Sequence, residues 1–343
     1  MSPTASALCT TRSPLSECPP VLLLVCDRPE LTRRVLDRIR SARPRELYVG
    51  ADGPRTDDDD ARRRWQAARA AAVAVDWDCA VRTLERERNL GCRHAISSAI
   101  TWFFEHVEEG IILEDDCVPE PTFFRYCAEL LERYREDERL MGIGGNNFRA
   151  PRRPRDESYT FSAYPQIWGW ATWRRAWASY DDGLSLWPRL RETDWLERFL
   201  SDRAAARFWR SVFDRDHAGH IDTWDFAWTF ACWVEHGLTA HPALNLVSNV
   251  GFGDAATHTS YAASPLAAVP STPMAFPLVH PQALVRDYDA DRFTAEHVHQ
   301  VRLRTSRWRR ALVRARRTRL TRLRRAGHRL LRTSRGGIRV GAP

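Results

Sequence analysis

Three short apolar runs in the first third of the chain each end in acidic side chains. The acidic residues that follow these runs are Asp27, Asp52 and the consecutive Glu114, Asp115 and Asp116. Carboxylates at the ends of neighbouring strands meet at one edge of a sheet, where they repel one another unless a cation or hydrogen-bond donors neutralise them. Mn²⁺ and Mg²⁺ prefer oxygen ligands and keep water and substrate phosphates in their shell, so one or two protein carboxylates are enough. The pattern predicts a metal-assisted site for a phosphate-bearing ligand.

These carboxylates are positioned by short apolar runs that alternate with helical patterns. The predicted strands are 21–26, 46–51, 79–84 and 110–113, and the predicted helices are 30–41, 60–75, 93–108 and 121–135. The alternation is typical of an α/β fold with a mainly parallel central sheet flanked by helices. Ligands of such sheets bind beyond the carboxyl ends of the strands. Neither a GxGxxG nor a Walker-type loop follows the first strand, so a nucleotide would be held by other means.

Two further segments are candidates for contact with a diphosphate. Asn89 and Arg93 lie between a predicted strand and the next helix, where backbone N–H groups and a guanidinium can face an anion. The alternative is an ordinary strand-to-helix turn. His258 lies in a Gly-containing loop after a strand predicted at 244–249, a loop that could close over a metal-bound diphosphate. The alternative for His258 is a solvated loop residue.

The middle of the chain is rich in Trp. The chain has 14 Trp residues, an unusually high number, and two segments stand out, WGWATW at 168–173 and DTWDFAW at 222–228, of which the second combines Trp with Asp. Trp168, Trp170 and Trp224 are candidates for stacking on sugar rings, while Asp222 and Asp225 can accept hydrogen bonds from hydroxyl groups. The alternative is a Trp-heavy core. The segments predict an acceptor-binding surface for a carbohydrate.

The charge is distributed unevenly. The chain contains 52 basic residues, all Arg, and residues 301–343 hold sixteen of them with no Asp or Glu, so the remainder is acidic. Apolar residues recur among these Arg residues at helical spacing, which predicts a basic amphipathic helix on an anionic membrane surface. A solvated, disordered tail is the alternative. Nucleic-acid binding is unlikely, because no aromatic stacking platform accompanies the charge.

The cysteines and the apolar runs bear on the compartment. The eight Cys residues include no CxxC pair, so neither a zinc cluster nor a disulfide framework is indicated. No apolar run is long enough to span a bilayer. We therefore expect a cytoplasmic protein, peripheral on the inner face of the cell membrane if the tail binds lipid.

The ordered motifs resemble a known family. The stretch PVLLLVCDR at 20–28, the strand-end Asp52 and the triplet at 114–116, followed by PTFF at 121–124, are together similar to the N-acetylglucosaminyltransferase type I family of GT-A glycosyltransferases. The resemblance covers 20–147 and continues more loosely to His258. The whole chain also resembles bacterial sugar transferases of that superfamily, some of them labelled hemolytic-protein-like.

The resemblance implies a role for each matched residue. The residues expected to contact the nucleotide-sugar donor are Asp27, Arg28, Asp52, Asn89, Arg93, Glu114 and Asp115. Asp116 would be the direct ligand of Mn²⁺ or Mg²⁺, with His258 as a second candidate. Family members of this type invert the anomeric centre with an acidic general base, and Asp225 matches that position, with Asp222 in reserve.

Motifs and resemblance together predict a GT-A fold in four segments. These are a flexible leader at 1–19, a nucleotide-sugar-binding half at 20–150, an acceptor-binding and catalytic half at 151–290, and an Arg-rich helical or disordered tail at 291–343. The predicted enzyme moves a sugar from a nucleotide-sugar donor, UDP-sugar being favoured, to a glycan or lipid-linked acceptor. The alternatives are a nucleotidyltransferase of similar fold and a non-catalytic sugar-binding, membrane-associated protein.

Overall fold

The computed structural model describes residues 17–56, 58–149, 157–252 and 264–302. Most of the predicted leader, His258 and the tail from residue 303 onward lie outside the described residues. Within the described ranges, no helix is long and apolar enough to cross a membrane.

The first half of the chain builds the parallel part of one sheet. Its strands are β1 (Val21–Val25), β2 (Glu46–Ala51), β3 (Ala80–Glu85) and β4 (Glu109–Glu114), and its helices are α1 (Pro29–Ala42), α2 (Asp59–Ala72) and α3 (Gly91–His106). These strands lie side by side in the order β3-β2-β1-β4, and all three pairings are parallel. Helices cover both faces of β1, which explains why all five of its residues are apolar and buried. The structure confirms α/β architecture.

The second half extends this sheet with mixed pairing. Its strands are β5 (Cys117–Pro119), β6 (Leu140–Gly144), β7 (Tyr159–Ser162), β8 (Trp170–Trp173), β9 (Leu238–Pro242) and β10 (Val247–Asn249). The full order is β3-β2-β1-β4-β8-β6-β9-β7, and β8 lies antiparallel to both β4 and β6. The sheet is therefore mixed, whereas the prediction was a mainly parallel one. The predicted boundary at 150 falls between β6 and β7, two strands of the same sheet.

A two-stranded antiparallel pair, β5 with β10, stands directly after the acidic triplet. The remaining helices are α4 (Thr122–Arg133), α5 (Arg174–Trp177), α6 (Trp187–Arg191), α7 (Trp195–Leu200), α8 (Arg203–His217), α9 (Asp225–Val234) and α10 (Tyr288–Phe293), which continues into a π-helical turn at Thr294–Val298. The strand predicted at 244–249 is the shorter β10. Its pairing with β5 brings the segment after β10 against the triplet.

Most of the Trp side chains form an aromatic core between the sheet and α8 and α9. Trp209 and Trp233 lie 4.8 Å apart between ring centroids, and the Trp233 indole N–H donates to the Ala163 carbonyl at 2.7 Å. Trp170, predicted to contact a sugar acceptor, is 2% exposed and stacks on Trp224 with centroids 5.6 Å apart. The acceptor role of Trp170 was therefore wrong, because β8 directs this ring into the core.

Trp170→Ala should lower the free energy of unfolding by about 3–5 kcal/mol, the usual cost of removing a buried large aromatic side chain. The measurement is chemical denaturation followed by circular dichroism. Trp168→Ala is the matched control, since the Trp168 ring is only half-buried and should cost markedly less. Equal losses in the two variants would contradict the placement of Trp170 in the core.

Candidate functional site

A cavity of about 480 Å³ lies at the carboxyl ends of β1, β2 and β4. The predicted site residues that line it are Arg28, Asp52, Asn89, Glu114, Asp115, Asp116, Trp168, Asp222, Trp224 and Asp225. Among the described residues, Asp27, Arg93 and Trp170 do not line this cavity. Parallel neighbours end at the same edge of a sheet, which is why residues far apart in sequence meet here.

The acidic triplet stands between the end of β4 and the start of β5. Glu114 is the last residue of β4, and Asp115 and Asp116 follow it as buried residues. The backbone N–H of Cys26, just after β1, donates to Asp115 Oδ2 at 3.3 Å. The central pairing of β1 with β4 therefore fixes this carboxylate through the neighbouring strand.

The segment after β10 packs directly on Asp116. The Val250 N–H donates to the Asp116 carbonyl at 2.9 Å. A Cβ at Gly251 would lie 1.8 Å from Asp116 Oδ2, so only glycine allows this close approach. His258 follows later in this segment, outside the described residues.

Arg28 brings positive charge to the triplet. Its Nη1 donates to Asp116 Oδ2 at 2.6 Å and lies 3.5 Å from Asp115 Oδ1. Arg28 immediately precedes α1, so the turn from β1 into α1 directs the guanidinium back over the sheet edge. A cation that binds Asp116 would share this carboxylate with Arg28 or displace it.

The charges of the triplet suit a divalent cation. Burial is the largest cause that raises the pKa of Glu114, followed by the charges of Asp116 and Asp115, and burial also raises the pKa of Asp115. Within 17–56, 58–149, 157–252 and 264–302, no three His, Cys, Asp or Glu side chains form a ready-made metal cage. Crowded carboxylates with few protein ligands fit Mn²⁺ or Mg²⁺, which complete their shells with water and ligand phosphates.

Asp52 and Asn89 shape the turn beside the triplet. Asp52 Oδ1 accepts the Gly53 N–H at 2.8 Å and the Leu90 N–H at 2.9 Å, while Asn89 Nδ2 donates to the Gly53 carbonyl at 2.9 Å. Burial, the largest cause, raises the pKa of Asp52. Both side chains line the cavity and at the same time join the end of β2 to the start of α3.

Two cavity-lining Arg residues were not predicted from the sequence. Arg55 follows β2, and its Nε lies 3.6 Å from Asp27 Oδ2. Asp27, predicted to contact the donor, thus pairs with Arg55 and does not line the cavity. Arg86 follows β3 directly and donates from Nη2 to the Ser98 hydroxyl at 2.8 Å. Arg86 directly follows β3, just as Asp52 directly follows β2, so its position at a strand end was a sequence signal for a site residue.

The two candidate bases differ in their surroundings. Asp225 is the first residue of α9, and the Thr223 hydroxyl donates to its Oδ1. Asp222 Oδ1 accepts the Arg93 N–H at 3.1 Å, and Gly91, with φ of 79°, approaches the same carboxylate. Asp222 thus caps the first turn of α3. The charge of Asp225 also raises the pKa of Glu114, after the larger effects of burial and of the charges of Asp116 and Asp115. Asp225 therefore lies close enough to the triplet for their charges to interact.

The structure corrects the role of Arg93. Its side chain does not line the cavity. Instead, Nη1 lies 2.5 Å from Asp216 Oδ1 on α8, and Nε lies 2.8 Å from Asp182 Oδ1. Nη1 also donates to the Ile221 carbonyl at 3.3 Å. Burial raises the pKa of Asp216 to about 6, so this carboxylate requires a cation beside it. Arg93 therefore holds the segment before Asp225 instead of binding a ligand.

The Trp residues that line the cavity differ in how exposed their rings are. Trp168 lines the cavity and contacts Phe148 and Phe252 edge-on, with ring centroids 5.4 Å and 5.6 Å away. Trp224 also lines the cavity but is only 1% exposed, because it stacks on Trp170. Of the three predicted acceptor-binding Trp residues, Trp168 presents the most accessible ring.

Comparisons with known proteins give little further information. No protein-family model and no curated protein matches the chain. A solved structure of UDP-glucose pyrophosphorylase complexed with UDP-glucose is similar over 47% of this chain and 78% of that chain, with 8% identical residues and a TM-score of 0.28. At that TM-score the two chains share too little geometry for the neighbour's activity to bear on this one.

Asp216→Ala should lower the free energy of unfolding by about 3 kcal/mol, because it leaves the Arg93 guanidinium buried with Asp182 as its remaining acidic partner. Chemical denaturation measures the change. Asp194→Ala is the control, since its ion pair with Arg198 is exposed and should contribute about 0–1 kcal/mol.

The double variant Arg93→Met with Asp216→Leu removes both buried charges and should recover most of the lost stability. A loss for Asp216→Ala as small as that for Asp194→Ala would contradict the role of this pair in fixing the cavity wall.

Proposed function

We propose that this chain is a metal-dependent, inverting glycosyltransferase with a GT-A fold that uses a nucleotide-sugar donor, a UDP-sugar being favoured. The observation that carries the proposal is a single cavity with two kinds of wall. The acidic triplet and Arg28 line this cavity, and so do Asp225 and Trp168. Such a cavity can hold a diphosphate and a hydroxyl-bearing acceptor on opposite sides of one reacting carbon.

Donor binding is assigned to the sheet edge. Arg55 and Arg86 supply guanidinium groups for the diphosphate, in addition to Arg28. Asp52 and the apolar side chain of Leu84 line the cavity near the ends of β2 and β3, where the nucleoside would lie. Asp52 can accept a hydrogen bond from a ribose hydroxyl or a base N–H.

Asp116 would hold Mn²⁺ or Mg²⁺, with Glu114 and Asp115 contacting the sugar or metal-bound water. Such an ion neutralises the negative charge that builds on the leaving diphosphate. His258, outside the described residues, stays a proposed second ligand. Arg28 pairs with Asp116, and the same guanidinium would be able to turn to the diphosphate once Asp116 bound the ion.

The proposed reaction is a direct displacement. Asp225 accepts the proton of an acceptor hydroxyl, whose oxygen forms a bond to the anomeric carbon of the donor. The bond between that carbon and the diphosphate oxygen breaks, and the nucleoside diphosphate leaves with the electron pair. The Thr223 hydroxyl orients Asp225 by its hydrogen bond to Oδ1. Attack opposite the leaving group inverts the anomeric centre.

The acceptor is proposed to be a glycan or a lipid-linked sugar that packs against Trp168. Contact of the tail from residue 303 with an anionic membrane surface, and hence a peripheral cytoplasmic location, also stay proposals.

The deciding experiment incubates the full-length protein with a panel of nucleotide sugars with and without Mn²⁺. Release of nucleoside diphosphate supports a glycosyltransferase, formation of nucleoside triphosphate and sugar 1-phosphate when pyrophosphate is added supports a nucleotidyltransferase, and binding without turnover supports a non-catalytic protein.

Asp116→Asn should leave the fold intact and abolish metal-dependent donor binding, because the amide keeps the shape but loses the charge that holds a hard cation. The measurement is the thermal shift with Mn²⁺ and the best UDP-sugar, where a ligand at about 100 Kd adds about 2.7 kcal/mol of stability. Asp60→Asn, in the exposed first turn of α2, is the control. An unchanged shift for Asp116→Asn would remove Asp116 from the metal site.

Asp225→Asn should bind the donor normally and lose transfer by about 10²- to 10⁴-fold, because a general base acts chiefly in the transition state. Thermal shift and nucleoside diphosphate release measure the two properties separately. Asp222→Asn is the matched variant, since an amide oxygen still accepts the Arg93 N–H and preserves the cap of α3. Loss of transfer in Asp222→Asn with full activity in Asp225→Asn would reverse the assignment.

A further inference from the structure

A second cavity, of about 930 Å³, lies on the other side of Trp168. It opens between the loop after β6, the edge strand β7 and the π-helical turn after α10. Gln166 and Phe148 line it, while Ile167 and Trp168 line the first cavity. The edge-on contact of Phe148 with Trp168, at 5.4 Å between centroids, separates the two cavities. They are therefore neighbours that share one wall.

Gln166, which lines the second cavity, carries an unsatisfied hydrogen-bond acceptor. The side-chain oxygen Oε1 of Gln166 is buried and accepts no hydrogen bond. Buried polar atoms in proteins normally have a partner, so this oxygen calls for a donor from a bound molecule. A hydroxyl group is a donor of suitable size.

Two Phe rings line the second cavity. Phe148 is half-buried and lies next to Trp168. Phe293 is also half-buried and stacks on His297, with centroids 4.3 Å apart and planes 14° from parallel. Rings of this kind present flat apolar faces, which pack against the C–H faces of sugars.

Four of the five Arg, Asp and Glu side chains that line the second cavity form ion pairs with one another or with close neighbours, and the fifth, Glu157, is exposed. Arg292 lies 2.6 Å from Asp289, Arg149 lies 3.3 Å from Asp287, and Glu296 is paired with an Arg at 3.0 Å. Burial lowers the pKa of His241 to about 4, so this side chain is neutral near pH 7. With most of its charges paired, the cavity suits a neutral polyhydroxylated ligand better than a phosphate.

We propose that the second cavity binds the neutral sugar units of an extended glycan, whose reacting end lies beside Asp225 in the first cavity. The glycan passes Trp168, donates a hydroxyl hydrogen bond to Gln166 Oε1 and packs a sugar ring on Phe293. The part that concerns the reacting end rests on the proposed function, whereas glycan binding in the second cavity does not. The substrate class is thus an oligosaccharide acceptor, not a single sugar.

The experiment measures binding of neutral oligosaccharides to the full-length protein without donor. Maltose, cellobiose and chitobiose and their hexamers are titrated by calorimetry. At least one hexamer should bind about tenfold more tightly than its dimer, because the longer chain fills the second cavity. Failure of all three hexamers to bind would overturn the proposal.

Two variants locate the binding. Gln166→Leu removes the oxygen with little change in shape and should weaken hexamer binding about tenfold, and Phe293→Leu should do the same by removing the ring. Gln66→Leu, exposed on α2, is the control and should bind normally. Equal affinity of Gln166→Leu, Phe293→Leu and the control would place the glycan elsewhere.

The donor thermal shift with Mn²⁺ separates this proposal from the proposed function. Gln166→Leu should keep the full donor shift, because Gln166 does not line the first cavity. If the donor binds but glycan binding does not depend on Gln166, the proposed glycan site in the second cavity is overturned and the proposed function stays intact. Glycan binding without donor binding or turnover would overturn the proposed function and leave the second cavity as a carbohydrate site.

Discussion

The ion pair between Arg28 and Asp116 is the interaction on which the carboxyl edge of β1 and β4, the proposed donor site, depends. The carboxyl end of β4 carries three consecutive acidic residues into a buried position, and such a cluster is unfavourable without positive charge. Arg28 supplies that charge from the turn between β1 and α1, at 2.6 Å from Asp116. The same turn allows the Cys26 N–H to reach Asp115. The cavity thus exists because the β1–β4 pairing aligns a cation and an anion cluster at one edge.

The loop at 218–224, just before Asp225, is held by a second buried charge pair, Arg93 with Asp216. This pair explains how a loop can take a defined position beside the cavity. Residues 218–224 contain no helix or strand, yet Arg93 joins them to α8 through Asp216 and to α3 through Asp222. Asp225, the proposed base, directly follows this segment and would act efficiently only if its position were fixed relative to the donor. Arg93 therefore couples the two walls: it belongs to α3, which follows the turn that Asp52 shapes on the donor side.

The sequence patterns predicted the parts of the molecule that depend on local order. The first four strands and their helices follow from the alternation of apolar runs, and the strand-end rule led to Asp52 and Asp116. The antiparallel insertion of β8 could not be predicted, because it depends on partners far along the chain. The predictions for Arg93 and Trp170 failed for the same reason, because distant partners decide the direction of each side chain. One such partner is Asp216, 123 residues away from Arg93.

The charge balance of the first cavity connects the donor to the proposed metal ion. Its lining contains six acidic side chains and three Arg side chains, so a diphosphate would add negative charge to a cavity that already has an excess of carboxylates. Burial, followed by the charges of Asp116 and Asp115, raises the pKa of Glu114, which shows that this excess of negative charge is unfavourable. A donor that enters together with a divalent cation brings its own neutralising charge and frees Arg28 to face the diphosphate. Binding of the donor and the cation should therefore be mutually reinforcing, since each removes a repulsion that opposes the other.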